Sequence, residues 1–205
     1  MLPLITAFFL GLFFSFIGSI PPGTLNITVL QLGIEKKVNI ALRFSLAVAI
    51  VEYPYAWIGV VFESWITSRP VIIEHFQLIT AVVMTVIGIM NLMASNKPGG
   101  FVARLDQSGF RRGAILSILN PMAIPFWIAI TAYLKSNGWL DLSTRWLVQS
   151  YVIGTSVGVL LILFIFIFLA GKFSGYAQGN KWVKKFPGIV LLVLGLYAFG
   201  KYLMN

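Results

Sequence analysis

Six predominantly apolar stretches, at residues 2–21, 38–62, 71–95, 113–134, 145–171 and 185–204, leave this chain few ways to fold. Crossing the hydrocarbon of a bilayer takes about 20 such residues. Inside lipid the backbone must satisfy its own hydrogen bonds, so each crossing is expected to be a helix. Only 10% of the 205 residues are charged and the mean hydropathy is +0.91, whereas a soluble domain carries roughly 25% charged residues. A large soluble core would still need a polar shell, so lipid is the solvent that fits. The linkers are short, and residues 1–205 read as a single transmembrane domain. No Lys or Arg precedes the first stretch, so it lacks the charged start of a signal peptide and reads as a retained helix.

The net charge is +9, and the cations fall in clusters between apolar runs rather than along one helix face. That pattern belongs to membrane loops and not to nucleic-acid binding. Lys36, Lys37, Arg43, Lys97, Arg104, Arg111, Arg112, Lys172, Lys181, Lys184 and Lys185 lie in or beside the first, third and fifth loops, whereas Arg69, Lys135, Arg145 and Lys201 lie on the opposite side. Positively charged loops stay in the cytoplasm, so both termini are expected to face outward. There is no cysteine, which excludes disulfide frameworks and thiolate metal sites.

The chain repeats itself faintly. Residues 83–89 in the third run resemble 190–196 in the sixth, and the first and fourth runs each carry a proline break, at Pro21-Pro22-Gly23 and at Asn120-Pro121. Two halves of three helices must be inverted relative to each other. The expected fold is therefore all-α, six transmembrane helices as two inverted three-helix repeats with broken first and fourth helices. Repeat 1 covers about 1–95, a linker about 96–112, and repeat 2 about 113–205. Residues 24–34, beyond the first break, are too short to cross alone; they either complete a broken helix or re-enter. Interrupted helices in matching positions of two halves point to a transporter binding site. Proline frees the carbonyl four residues back, here those of Ile17 and Gly18 in the first break and those of Ser117 and Pro121 in the second. Pro54 and Pro125, taken singly, read as ordinary kinks.

Glu52 lies near the middle of the second run. A carboxyl group there costs roughly 2.5–3.5 kcal/mol on insertion scales, so it should face a cavity or a partner. Arg43 is nine residues away, about 13 Å along a helix and half a turn round it, and cannot pair with it. Gly11, Ser15 and Ser19 recur every four residues, which reads as close helix packing. Asn91, Gln149, Tyr151, Thr155 and Ser156 fit either a polar cavity or interhelical hydrogen bonds. Glu63, Glu74 and His75 sit near outer helix ends and read as solvated. His75 is the sole histidine, which leaves no histidine metal site. No nucleophile–base motif occurs either, so an enzyme is not expected.

Pro22-Gly23 followed by Asn26 resembles the Pro-Gly-Pro region of the LysE/RhtB family of amino-acid exporters. Gly113 followed by Asn120-Pro121-Met122-Ala123 is similar to that family's Asn-Pro-Lys-Ala segment in its fourth helix, and residues 47–52 occupy the place of its second helix, which often carries an acidic residue. The likeness in length and layout covers essentially the whole chain. Thr24 stands where the family has a second proline, Met122 where it has lysine, and most second-helix glycines are absent. The resemblance implies a multi-pass protein of a bacterial inner membrane that exports amino acids or similar small metabolites, driven by protons. Alternatives are a cation or metal exporter of the same fold, and a non-transporting membrane assembly protein. Candidate substrate- or proton-binding residues are Glu52, Asn120, Asn26 and Tyr55, with Pro22, Gly23 and Pro121 as hinges. No cofactor is expected. The partners are a small-molecule substrate and the lipid bilayer, and a homo-oligomer is compatible with the sequence.

Overall fold

The computed structural model describes residues 2–20, 23–68, 108–120 and 123–177 continuously, and Leu78, Val82, Thr85, Ile89, Ile189, Leu192, Val193, Leu196, Phe199 and Gly200 individually. All regular structure among the described residues is helical. The first run forms α1 (Leu2–Gly18) and α2 (Thr24–Ile34), and the second forms α3 (Val38–Thr67). The fourth forms α4 (Gly109–Ile118) and α5 (Ala123–Ser136), and the fifth forms α6 (Arg145–Ala177). Both expected interruptions are present. Pro22, Pro121, Glu74 and His75 lie outside the described residues, as do the 96–112 linker through residue 107 and, individual residues aside, the third and sixth runs with their 83–89 and 190–196 likeness.

Val38–Trp65 and Arg145–Ala170 are each long and apolar enough to cross a membrane, and α4 with α5, bent by 64°, makes a third candidate. Phe9, Phe13, Ile17, Ile50, Trp57, Val61 and Phe168 are exposed. Apolar side chains spread so widely over the outside mark a surface solvated by lipid.

Packing between the two halves is reciprocal. Helix α3 rests on both α4 and α5, α6 rests on both α1 and α2, and α3 and α6 also meet each other. Glycines set the close approaches. Gly109 lies against the Ile40 carbonyl and Gly113 against that of Phe44; Gly154 lies against the Phe8 carbonyl and Gly158 against that of Leu12. Residue numbers rise together across each contact, so α3 runs parallel to α4 and α5, and α6 runs parallel to α1.

Two tight turns reverse the chain, and both end a helix with a left-handed residue whose neighbours bond back to free carbonyls. After α2, Lys36 has φ 57°, with Lys36 N–H on Gly33 O and Lys37 N–H on Leu32 O at 3.0 and 2.9 Å. After α5, Gly138 has φ 68°, with its N–H on Lys135 O and that of Trp139 on Leu134 O, both at 3.0 Å. The first turn gathers Lys36, Lys37 and Arg43 with Arg111 and Arg112 of α4 at one end of the bundle. The exposed Tyr133, Trp139 and Trp146 sit at the other, with Tyr133 and Trp139 edge to face at 5.9 Å and Arg145 over the Trp146 ring. Such aromatics favour the level of the lipid headgroups.

One expectation is corrected at this end. Glu63 is 2% exposed rather than solvated, and accepts from Lys135 Nζ at 2.6 Å. It faces α5 because it lies eleven residues, close to three whole turns, beyond Glu52 on the same side of α3.

Candidate functional site

The apolar interior of this bundle is divided in two. Towards the basic end Val29, Phe44, Val48, Ala49, Leu116, Val159 and Leu163 form one core; towards the aromatic end Ala7, Ala56, Val60, Trp127, Leu134, Tyr151 and Val152 form another. Between them, α3 carries Glu52 and α6 carries Thr155 and Ser156. The two other helical paths among the described residues are both interrupted at this level, after Gly18 and after Ile118. The waist of the bundle is thus its polar layer.

The breaks are closed by side chains as well as by tight turns. In the first, Ile17 O accepts from Ile20 N–H at 3.1 Å, so the Ile17 carbonyl expected to be freed is satisfied by a shorter-range bond. Asn26, buried in the first turn of α2, donates Nδ2 to Ser19 O at 2.5 Å. In the second, Ser117 O likewise accepts from Asn120 N–H at 3.0 Å. Tyr55 reaches over from α3 to donate its hydroxyl to Ile118 O at 2.6 Å. A carbonyl freed at membrane depth must be satisfied by protein or in a water-lined cavity, and each of these side chains replaces the bond the helix would have made. Gly23, the residue before α2, contributes no side-chain cap and has open space around it. The amino end of α2 therefore has no side-chain cap from Gly23 and carries the partial positive charge of a helix start.

The two breaks are neighbours. Gly18, the last residue of α1, lies against the Phe126 ring in the first turn of α5, where a side chain on Gly18 would overlap it. Phe126 stands edge to face with Trp127 at 5.0 Å, and the fully buried Trp127 donates Nε1–H to Glu52 Oε1 at 2.6 Å. The carboxyl group is partly buried, and its Oε2 has no protein partner among the described residues. Beside it Tyr53 donates to Gln149 Oε1 of α6. An apolar groove of about 400 Å³ opens between α3 and α6, lined by Ala49, Ile50 and Tyr53 on one side and Ile153, Ser156 and Leu160 on the other.

Of the residues singled out from the sequence, Glu52 and Tyr55 are brought to the second break, Asn26 to the first, and Asn120 ends α4 at the second. Of the polar residues left between two readings, Gln149 and Tyr151 bond to other helices, to Tyr53 and to Thr131. Thr155 and Ser156 bond back to Val152 O within α6. Gly11 and Ser15 pack α1 onto α6, as their spacing suggested, whereas Ser19 lends its carbonyl to the break. Sequence reasoning missed Trp127, the direct partner of Glu52. Its signal was the run Trp127, Thr131, Lys135, polar-capable residues four apart on one side of an apolar helix. Pro125 falls in the first turn of α5, where its missing N–H costs nothing.

The chain matches the family model of the LysE type translocators over residues 16–201. It matches no curated protein and no solved structure.

Proposed function

The chain belongs to the LysE type translocator family and is a membrane transporter rather than an enzyme; on that premise we propose that it exports amino acids or similar small metabolites across a bacterial inner membrane in exchange for protons, with Glu52 as the coupling carboxyl. The observation that carries this reading is the position of Glu52. It sits at the midpoint of α3, between the two broken helices, with one oxygen held by Trp127 and the other without a partner among the described residues. Intramembrane carboxyl groups are expensive and mark ion or substrate pathways.

An amino acid suits the waist physically. Its ammonium meets Glu52 Oε2, and its carboxylate meets the uncapped amino end of α2, where N–H groups and the helix dipole favour an anion. Asn26, Tyr55 and Asn120 border the same level, and Gly23 gives the backbone room to move.

Two inverted three-helix repeats are supported by the reciprocal packing, in which each half's long helix lies along the other half's broken helix. Helices α3 and α4 begin at the same end of the bundle, as inverted repeats require, and the apolar run at 71–95 has the length of one crossing. Divided cores above and below Glu52 suit a rocking motion that opens the waist to one side at a time. On this reading the basic turn and the start of α4 form the cytoplasmic end, with α1's first residues outside.

Proteoliposomes loaded with a uniformly labelled mixture of the protein amino acids test this. Wild-type protein should release label faster when the outside is acidified, and Glu52→Gln, which keeps shape and hydrogen bonding but cannot give up a proton, should lose that acceleration by about 100-fold. Acceleration by the gradient persisting in folded Glu52→Gln would remove Glu52 from the coupling role.

A further inference from the structure

The face that α5 turns to its neighbours carries three polar contacts stacked in register. Trp127, Thr131 and Lys135 follow one another at intervals of four, so they lie one above another, about 6 Å apart along the axis. Each meets a polar partner on another helix. Trp127 Nε1 donates to Glu52 at 2.6 Å, Thr131 Oγ1 and the Tyr151 hydroxyl lie 3.4 Å apart, and Lys135 Nζ donates to Glu63 at 2.6 Å. Trp127, Thr131 and Tyr151 are fully buried and Glu63 is 2% exposed. The Lys135 side chain, 32% exposed, reaches water at the aromatic end of the bundle. A row of polar groups therefore climbs about 12 Å through the apolar core, from Glu52 at the waist to the surface opposite the basic turn.

Stability alone is a weak reason for such a row. Interhelical hydrogen bonds in membranes average about 0.6 kcal/mol, and a buried ion pair is often no better than an apolar pair of the same volume. The types and their order suit proton movement instead. A carboxylate stands at each end, and between them is a pair of hydroxyls, groups that accept one proton while giving up another. Trp127 is a donor only and passes nothing on; it holds Oε1 of Glu52 and leaves Oε2 to receive. Among the described contacts, the groups facing Glu63 are Lys135 from α5 and the Ser64 hydroxyl of its own helix. Those around Glu52 are Trp127 from α5 and, on its own helix, Tyr53 and Tyr55, with Tyr151 of α6 edge to face on the Trp127 ring at 6.0 Å.

We propose that the Glu63–Lys135 pair and the Thr131–Tyr151 hydroxyls form the outer proton path to Glu52, a role that rests on the proton-coupled reading above. A proton from outside water binds the Glu63 carboxylate, which loosens its hold on Lys135. It passes through water to the hydroxyl pair, which gives up one of its own protons, again through water, to Glu52 Oε2. Glu52 and Glu63 stand eleven residues, about 16 Å, apart along α3, with the hydroxyl pair at an intermediate level, and water completes the relay across the two gaps. At the end Glu63 is again a carboxylate, both hydroxyls and the Lys135 ammonium are unchanged, and Glu52 carries the proton. Neutralising Glu52 releases the substrate's ammonium to the outer side.

The double variant Thr131→Val with Tyr151→Phe tests this, because it removes both hydroxyls isosterically and leaves neither partner orphaned. In proteoliposomes holding the labelled amino-acid mixture and a trapped pH-sensitive dye, gradient-driven release and the accompanying proton uptake should both fall by about tenfold or more. Exchange of labelled for unlabelled mixture at equal pH, which needs no proton transfer, should stay within about twofold, and Thr131→Ser with native Tyr151 should keep coupling. Undiminished proton uptake in the double variant overturns the path. So does a parallel fall of coupled release and exchange, which would make the row a clamp. Wild-type protein indifferent to the pH gradient would overturn the proton-coupled reading itself, and the path with it.

Discussion

The seat of α6 on α1 and the seat of α3 on α5 are built in opposite ways. Helix α6 lies on α1 backbone against backbone. A Cβ on Gly154 would run into the Phe8 carbonyl, one on Gly158 into that of Leu12, and one on Gly11 into that of Tyr151. A side-chain hydrogen bond of this contact, Ser150 Oγ to Leu4 O at 2.7 Å, lies at its exposed end, and the buried Ser15 hydroxyl has no partner among the described residues. Helix α3 also approaches α5 closely at one point, Gly59 against Trp127, but it is tied there by Glu52–Trp127 and Glu63–Lys135. Dispersion and steric fit cannot be rearranged without lifting the helices apart. Hydrogen bonds and ion pairs can exchange partners with water, protons or substrate. The first seat is built to stay shut and the second to change.

The largest effect should come from filling the close seat. Gly154→Leu places a side chain where the Phe8 carbonyl and Leu12 amide stand, and rigid backbone cannot yield. It should cost more than about 3 kcal/mol and leave little folded protein by size-exclusion chromatography in detergent. Normal yield and thermal midpoint would break the contrast between the seats. A smaller loss is expected from Lys135→Met, which strands the buried Glu63 carboxylate. Because 32% of the Lys135 side chain meets water, the cost should fall below that of a wholly buried pair, roughly 2 kcal/mol. Adding Glu63→Gln should recover part of it in a thermal double-mutant cycle; additive losses would mean that the pair holds nothing. Smallest of all, Ser15→Ala removes a hydroxyl that has no partner among the described residues. Its thermal midpoint should be unchanged or slightly raised, within about 0.5 kcal/mol, and a clear drop would reveal a partner for Ser15 and a less dry α1–α6 seat.

Much of the fold was legible in the residues, and the site only in outline. The apolar runs and the breaks at Gly23 and Asn120 appear where hydropathy and proline placed them, because both act over a few neighbouring residues. Glu52 stood out because a carboxyl in an apolar run is costly wherever the helix points. Glu63 was misjudged for a related reason. Its place near a helix end suggested water, and its burial depends on Lys135, 72 residues away. The pairing of Tyr55 with the Ile118 carbonyl, 63 residues apart, had no local trace at all.

What the sequence determined by itself is the solvent, the class of fold, the places where helices stop, and the presence of one costly acid at mid-depth. These follow from transfer energies and backbone hydrogen bonding, which are properties of short segments. Tertiary structure alone decided that the two breaks lie side by side, that the core divides at the level of Glu52, and that Trp127, Thr131 and Lys135 each meet a polar partner. Those are matters of which helix lies beside which and at what rotation. A rotation of α5 by one residue, about 100°, would leave its hydropathy unchanged and abolish all three contacts.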